Sequence, residues 1–88
     1  MFPEDYATWF NLARALQASG DLPGAIAGFT KAVELAPGEP DFLLSLGGAQ
    51  EAAGKKPEAA AAYKRYLDLQ PASPQADKIK DRIARLVA

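Results

Sequence analysis

The chain repeats itself at a spacing of 34 residues, and this period limits its possible folds more than any other feature of the sequence. A shift of 34 residues brings seven like pairs into register, which chance does not explain. Periods of roughly 20 to 50 residues are typical of arrays in which each unit packs on the next. The aligned pairs are Leu12 with Leu46, Gly20 with Gly54, Pro23 with Pro57, Ala25 with Ala59, Phe29 with Tyr63, Leu35 with Leu69, and Pro37 with Pro71.

Each copy divides into two helical segments. Gly20 and Gly54 interrupt the copies near their middle, and Pro37 and Pro71 end them, because glycine favours a helix terminus and proline cannot continue a helix. We therefore predict helices over residues 5–18, 21–35, 39–53 and 57–69, with Asp21 as a helix cap. The first helix is expected to bury one apolar face, formed by Trp9, Leu12, Ala13 and Leu16.

A fifth helix is predicted from about residue 74 to the last residue. Ser73 followed by Pro74 is typical of a helix start, and apolar residues then recur at helical spacing. Charged residues cover most of the remaining circumference, as expected of a helix that closes a stack. The apolar residues are Ala76, Ile79, Ile83, Leu86 and Val87, and the charged ones are Asp77, Lys78, Lys80, Asp81, Arg82 and Arg85.

These residues resemble the tetratricopeptide repeat, a helical hairpin of 34 residues with fixed aromatic, small and proline positions. The resemblance implies an all-α fold, a short right-handed superhelix (α-solenoid) of two helix-turn-helix hairpins and a fifth capping helix. It implies a single domain over residues 1–88, with repeats at about 6–39 and 40–73 and the capping helix at about 74–88. The matching residues are Trp9, Leu12, Ala13, Leu16, Gly20, Ala25, Phe29, Ala32 and Pro37, then Leu43, Leu46, Gly47, Gly54, Ala59, Tyr63 and Pro71.

Two residues depart from the family pattern. Gln50 stands where an aromatic residue is usual, and Tyr66 stands where alanine is usual. We expect Tyr66 to fill space beneath the closing helix. Two repeats are also fewer than the three that such arrays normally need. This leaves two alternatives open: the chain is a piece of a longer protein, or it completes its core by self-association.

The resemblance implies a groove lined by the first helix of each hairpin, which holds a peptide or a helix of another protein. Phe10 and Leu44 are its expected apolar anchors, and basic side chains favour an apolar or acidic ligand. The alternative is that the anchors belong to the core and the charges are merely solvated. The groove residues implied are Phe10, Asn11, Arg14, Gln17, Leu44, Ser45, Gly48 and Glu51, with Lys78, Ile79 and Arg82 on one wall.

Composition argues against other classes of function. The chain has no histidine and no cysteine, which removes the usual catalytic base and the usual metal ligands, so we expect no enzyme activity, cofactor or metal. A net charge of −1 argues against nucleic-acid binding. No apolar stretch is long enough to enter a membrane and no signal sequence opens the chain. Cytoplasm and periplasm both stay open, and we favour the cytoplasm slightly.

A second function remains open, in which the chain is a structural scaffold that forms a homo-oligomer. Phe2 and Tyr6 have no earlier repeat to pack against, so they either fold back or form an association surface. Residues 1–44 carry a net charge of −4 and residues 45–88 a net charge of +3. Opposite charges at the two ends would allow copies to associate head to tail.

Overall fold

A computed structural model of the protein describes residues 5–88, and Phe2 therefore lies outside the described residues. Five helices account for most of this part of the chain, and no strand is present in it. The expected all-α helical repeat fold is confirmed. The helices are α1 (Tyr6–Ala18), α2 (Leu22–Leu35), α3 (Pro40–Ala52), α4 (Lys56–Leu69) and α5 (Ala76–Val87).

The first hairpin begins each of its helices with an aspartate cap. The Asp5 carboxylate accepts a hydrogen bond of 2.9 Å from the backbone N–H of Ala7, and Asp21 Oδ1 accepts one of 2.9 Å from that of Gly24. Backbone donors in the first turn of a helix have no partner within the helix, so these carboxylates satisfy them. Asp21 is thus confirmed as the cap that starts α2.

Both hairpins turn at a glycine in the left-handed region. Gly20 has φ of 90° and Gly54 has φ of 79°, values that side chains rarely permit. The next residue in each case closes the helix end: Asp21 N–H donates to the Leu16 carbonyl at 2.9 Å, and Lys55 N–H donates to the Gln50 carbonyl at 2.8 Å. The glycines of the 34-residue period therefore make the same turn twice.

The five helices form two layers. Helix α2 contacts both α1 and α3, and α4 contacts both α3 and α5. Side-chain contacts also join α1 to α3, through the stacked rings of Phe10 and Phe42, and α3 to α5, through Glu51 and Arg82. We call α1, α3 and α5 the first-helix layer, and α2 and α4 the second-helix layer.

Small residues allow the two helices of each hairpin to approach closely. A Cβ atom at Gly28 would lie 2.8 Å from the Ala13 Cβ atom, and one at Gly47 would lie 2.6 Å from Cε1 of the Tyr63 ring. Real Cβ atoms do not come this close, so neither position has room for a larger residue. Phe29 and Tyr63 are buried beside these contacts, as the period predicted.

The core extends through all the helices, and α1 and α5 contribute one residue each to it. Tyr66 is buried in the same cluster as Ile79 of α5, and its hydroxyl lies 2.7 Å from Ser73 Oγ. The expectation that Tyr66 fills space beneath the closing helix is therefore met. The buried cluster consists of Ala13, Ala25, Phe29, Ala32, Val33, Phe42, Leu43, Leu46, Ala49, Ala59, Ala62, Tyr63, Tyr66 and Ile79.

Two expectations from the sequence need correction. Leu12 was predicted on the buried face of α1, but 47% of its surface is exposed, because no described helix covers that side of α1. The last helix was predicted to begin at about residue 74, but residues 74 and 75 form a turn and α5 begins at Ala76. Ser73 Oγ still accepts a hydrogen bond of 3.1 Å from the backbone N–H of Gln75.

Candidate partner-binding surface

The first-helix layer carries the residues predicted to line a groove. Of those on α1, Phe10 is half-buried, whereas Asn11, Arg14 and Gln17 are exposed. Leu44, Ser45, Gly48 and Glu51 of α3 are all half-buried. On α5, Lys78 and Arg82 are exposed.

Phe10 belongs to an aromatic cluster between the two hairpins. Its ring stacks on Phe42 of α3 with centroids 4.6 Å apart, and it meets Phe29 of α2 at 5.6 Å. Tyr6, which is 44% exposed, lies beside this cluster, with its ring centroid 5.5 Å from that of Phe42. Aromatic pairs at such distances stabilise a fold beyond the area they bury. Phe10 therefore joins the hairpins together, and only its exposed part is available to a ligand.

Arg14 extends the aromatic cluster with a positive charge. Its guanidinium carbon lies 5.8 Å from the centre of the Phe10 ring, which is within cation–π range. The side chain is exposed, so the guanidinium can still meet a carboxylate from solution. This end of the first-helix layer thus offers an apolar surface with one basic group beside it.

The middle of the layer is open at Gly48. A Cβ atom placed there would meet only the Tyr63 hydroxyl, at 4.0 Å. Gly47, one residue earlier, faces the Tyr63 ring and is closely packed. The two adjacent glycines therefore have different roles: Gly47 allows α3 and α4 to pack, and Gly48 leaves space on the surface. Leu44 lies one turn before Gly48 and packs partly against the core.

Arg82 is held in place by residues of α3 and α4. Its Nη1 atom lies 3.5 Å from Glu51 Oε1, which also accepts a hydrogen bond of 3.0 Å from the Tyr63 hydroxyl. Burial raises the pKa of the Tyr63 hydroxyl, whereas a hydrogen bond from Arg82 acts to lower it. The same hydrogen bond raises the pKa of Arg82, and the negative charge of Glu51 raises it further. These contacts fix α5 against the second hairpin and present a guanidinium on the surface.

One expected wall residue lies elsewhere. Ile79 was predicted to line the groove together with Lys78 and Arg82, but it is buried in the core. On an amphipathic helix the apolar residues take the inner face, and Ile79 follows Ala76 at a spacing of three residues on that face. The wall that α5 contributes is therefore formed by charged side chains.

Two buried residues that support this surface were missed by reasoning from the sequence. Phe42 was not singled out, although it precedes Leu43 and begins a buried stripe that continues at Leu46 and Ala49. The hydroxyl of Tyr63 was treated only as part of a packed aromatic residue. Phe29 at the same repeat position has no hydroxyl, and this difference between copies was the available signal for a polar contact in the second hairpin.

A shallow open pocket of about 190 Å³ lies where the link between α2 and α3 meets α3 and α4. Among the described residues, no three acidic side chains come together as a metal site would require. None of the helices described here is long and apolar enough to cross a membrane. The pocket is lined by Pro37, Leu43, Arg65, Asp68 and Leu69.

Comparison with known proteins gives one family. A family model described as a tetratricopeptide repeat matches the chain over residues 1–40 and again over residues 10–74. The two matches together cover both hairpins and leave α5 outside. No curated protein matches the chain.

Proposed function

Because this chain belongs to the tetratricopeptide repeat family, whose members generally mediate protein–protein interactions, we propose that it binds a peptide or a helix of another protein on its first-helix layer. Binding of this kind needs no catalytic group, and the family is generally non-catalytic. The observation that carries the proposal is the space at Gly48, which lies on α3 between an aromatic cluster and a charged cluster.

The aromatic end favours an apolar side chain of the ligand. Phe10, Tyr6 and Leu44 each combine a packed part with an exposed or half-exposed part, so a ligand side chain would contact side chains that are already held in position. Side chains fixed before binding lose little conformational freedom, which makes them effective anchors. We therefore assign most of the binding free energy to this end.

The charged end favours a carboxylate. Arg82 and Lys78 are exposed on α5, and Arg14 adds one exposed basic group beside the aromatic end. A ligand carboxylate would compete with Glu51 for the Arg82 guanidinium, so it gains little net energy from that contact. Exposed ion pairs contribute roughly 0 to 1 kcal/mol each. These groups would set the orientation and acidic preference of the ligand more than its affinity.

The test fills the space at Gly48. Peptides selected from a random displayed library on the native chain would be titrated calorimetrically against Gly48→Leu, with Ala61→Leu as the matched control. Ala61 is exposed on α4, in the second-helix layer, so this control places the same leucine side chain on the opposite layer. We expect Gly48→Leu to weaken binding at least about tenfold, equivalent to about 1.4 kcal/mol, and Ala61→Leu to leave it unchanged.

If the ligand bound the Gly48→Leu variant and the native chain with equal affinity, it would lie elsewhere on the molecule. Failure of the library to give any binder would also count against the proposal.

The preference for acidic peptides is tested separately by Arg14→Glu combined with Lys78→Glu. Its matched control is Lys31→Glu combined with Lys64→Glu, which reverses two exposed charges on α2 and α4. Only the first pair should weaken the binding of acidic peptides.

A further inference from the structure

Glu51 occupies a place in the first-helix layer where the carboxylate of a ligand would bind. It lies on α3 one turn after Gly48, and both residues adjoin the Tyr63 hydroxyl. A Cβ atom at Gly48 would lie 4.0 Å from this oxygen, and Glu51 Oε1 lies 3.0 Å from it. The same Oε1 atom is 3.5 Å from Nη1 of Arg82. The protein therefore places a carboxylate of its own on the guanidinium that an acidic ligand would use.

The two contacts of the Glu51 carboxylate are unequal. Tyr63 is buried, so loss of the 3.0 Å hydrogen bond would leave its hydroxyl as a buried donor without an acceptor. The contact with Arg82 is longer, at 3.5 Å, than the roughly 2.7 to 2.9 Å of a strong ion-paired hydrogen bond. The Arg82 side chain is also 53% exposed. Glu51 can therefore release Arg82 to a ligand while it keeps its bond with Tyr63.

The other arginine of the first-helix layer has no such internal carboxylate. Helix α1 contains no acidic residue, and Gln17 stands on it at the repeat position that Glu51 has on α3. The Arg14 guanidinium lies over the Phe10 ring instead. Neutralisation of an arginine by a neighbouring glutamate is thus a property of the second hairpin and its contact with α5, and the first hairpin shows that the repeat position also accepts glutamine.

We propose that Glu51 is a specificity-determining residue, an internal carboxylate that occupies Arg82 until the carboxylate of a bound ligand displaces it. This inference rests on the binding of a peptide or a helix proposed above. It names the chemistry of that ligand, which carries an apolar side chain and a carboxylate on one segment. Internal competition of this kind acts against ligands that offer only part of the required chemistry.

Effective concentration explains why both groups are needed. A group tethered to its partner acts at an effective concentration of about the millimolar range, so a free acid at micromolar concentration does not displace Glu51. A segment whose apolar side chain is already held by Phe10 and Leu44 gives its carboxylate a comparable effective concentration. Such a segment can compete with Glu51 for Arg82, whereas a small acid without an apolar anchor is rejected.

Calorimetric titration of a matched pair of peptides tests the role of Glu51. The acidic peptide is a binder selected on the native chain, and its neutral copy has every aspartate and glutamate replaced by the corresponding amide. Glu51→Gln keeps an acceptor for the Tyr63 hydroxyl and removes only the charge. It should raise the affinity for the acidic peptide about fivefold, the factor that corresponds to one exposed ion pair, and leave the neutral copy unaffected.

Glu34→Gln is the matched control for this titration. Glu34 lies 3.9 Å from Lys31 on α2, so the control also removes a glutamate from an exposed ion pair, changes the net charge equally and acts in the second-helix layer. It should leave both affinities unchanged. An equal gain in affinity from Glu51→Gln and Glu34→Gln would show a general effect of net charge and would overturn the proposal.

A double-mutant cycle with Arg82→Gln separates displacement from simple repulsion between Glu51 and an acidic ligand. If Glu51 competes for Arg82, its replacement helps only while the arginine is present, so the fivefold gain should largely vanish in the Arg82→Gln background. Equal gains in the two backgrounds would mean that Glu51 only repels the ligand, and would overturn the proposal.

The Tyr63 hydroxyl reports on Glu51 without any ligand. The hydrogen bond to Glu51 and its negative charge both act to raise the pKa of Tyr63, so Glu51→Gln should lower this pKa and Glu34→Gln should not. Titration followed by NMR of the tyrosine ring carbons measures it. An unchanged pKa would show that Glu51 does not hold this position in solution, and would overturn the proposal without affecting peptide binding.

The outcomes of these experiments separate this inference from the proposed function. A library that yields no binder refutes the proposed function, and the displacement of Glu51 with it. Peptides that lose affinity for Gly48→Leu but bind Glu51→Gln no better than the native chain overturn this inference alone. Selected binders that carry no acidic residue would do the same, because they would leave Arg82 with Glu51.

Discussion

Leu12 and Leu46 occupy the same position in two copies of one hairpin, yet 47% of the first side chain is exposed and only 6% of the second. Both residues lie on helices that end in the same left-handed glycine turn. The difference arises because α3 has α2 on its other side, whereas α1 has no such neighbour among the described residues. The repeat position therefore sets the direction of a side chain, and the neighbouring hairpin decides whether that side chain is buried.

The two hairpins also achieve close packing with their small residues exchanged. The first has Ala13 on its first helix and Gly28 on its second, whereas the second has Gly47 and then Ala62 at the corresponding positions. Each hairpin thus places one glycine at the contact, on opposite helices. This exchange shows that the fold requires a close approach of two helices and does not require glycine on either particular helix.

Polar groups distinguish the second hairpin from the first. Gln50 takes the position that Leu16 has in α1, and its Oε1 atom is buried with no hydrogen-bond partner in the described structure. Tyr63 takes the position of Phe29, and its hydroxyl has a partner in Glu51. The second hairpin therefore satisfies one of its added polar groups and leaves the other unsatisfied.

The largest expected change in the free energy of unfolding comes from a substitution that tests the difference in burial between Leu46 and Leu12. Leu46→Ala should lower the free energy of unfolding by about 2 to 4 kcal/mol, because it leaves a cavity between α2 and α3. Leu12→Ala should lower it by less than about 1 kcal/mol, since much of that side chain is already in water. Urea unfolding of dilute protein, followed by circular dichroism, would measure both. Similar losses for the two leucines would contradict the contrast drawn between α1 and α3.

The exchange of small residues predicts that substitutions at Ala13 and Gly28 are strongly coupled in their effect on the free energy of unfolding. Gly28→Ala alone should lower the free energy of unfolding by about 1 to 3 kcal/mol, because the new Cβ atom would meet that of Ala13 at 2.8 Å. Adding Ala13→Gly gives the first hairpin the arrangement of the second, so most of that loss should be recovered. A double-mutant cycle measures the coupling, and strictly additive losses would rule out this account of the contact.

Replacing Gln50, whose amide oxygen is unsatisfied, should change the free energy of unfolding least, and should raise it instead of lowering it. Gln50→Leu introduces the residue type that the first hairpin has at this position, and it should raise the free energy of unfolding by about 1 kcal/mol. Gln17→Leu serves as the control, because Gln17 is exposed and its replacement should stay within about 0.5 kcal/mol. A loss of stability in Gln50→Leu would indicate that the amide has a partner in solution.

The sequence predicted the helices well because their signals are local. A glycine that must adopt a left-handed conformation, an aspartate at a helix start and a proline after a helix end act within a few residues, and Gly20, Asp21 and Pro37 were each assigned correctly. The buried pair Phe29 and Tyr63 followed from the period itself.

What the sequence did not predict depends on neighbours distant along the chain. Leu12 has the same local pattern as Leu46, and only the arrangement of hairpins separates them. Phe10 was expected to be a free anchor, whereas its ring also stacks on Phe42, which lies 32 positions later. The assignment of Ile79 to a wall is a different kind of error, because the apolar pattern of α5 itself places this residue on the inner face. Whether the predicted groove residues bind a ligand is the question that the Gly48→Leu titration addresses.

Native-state hydrogen exchange in dilute protein tests the contrast between α1 and α3 most directly. At low concentration we expect amides of α3 to exchange only by global unfolding, and amides of α1 to exchange through a local opening of lower free energy. Equal protection of α1 and α3 in the dilute protein would contradict the account.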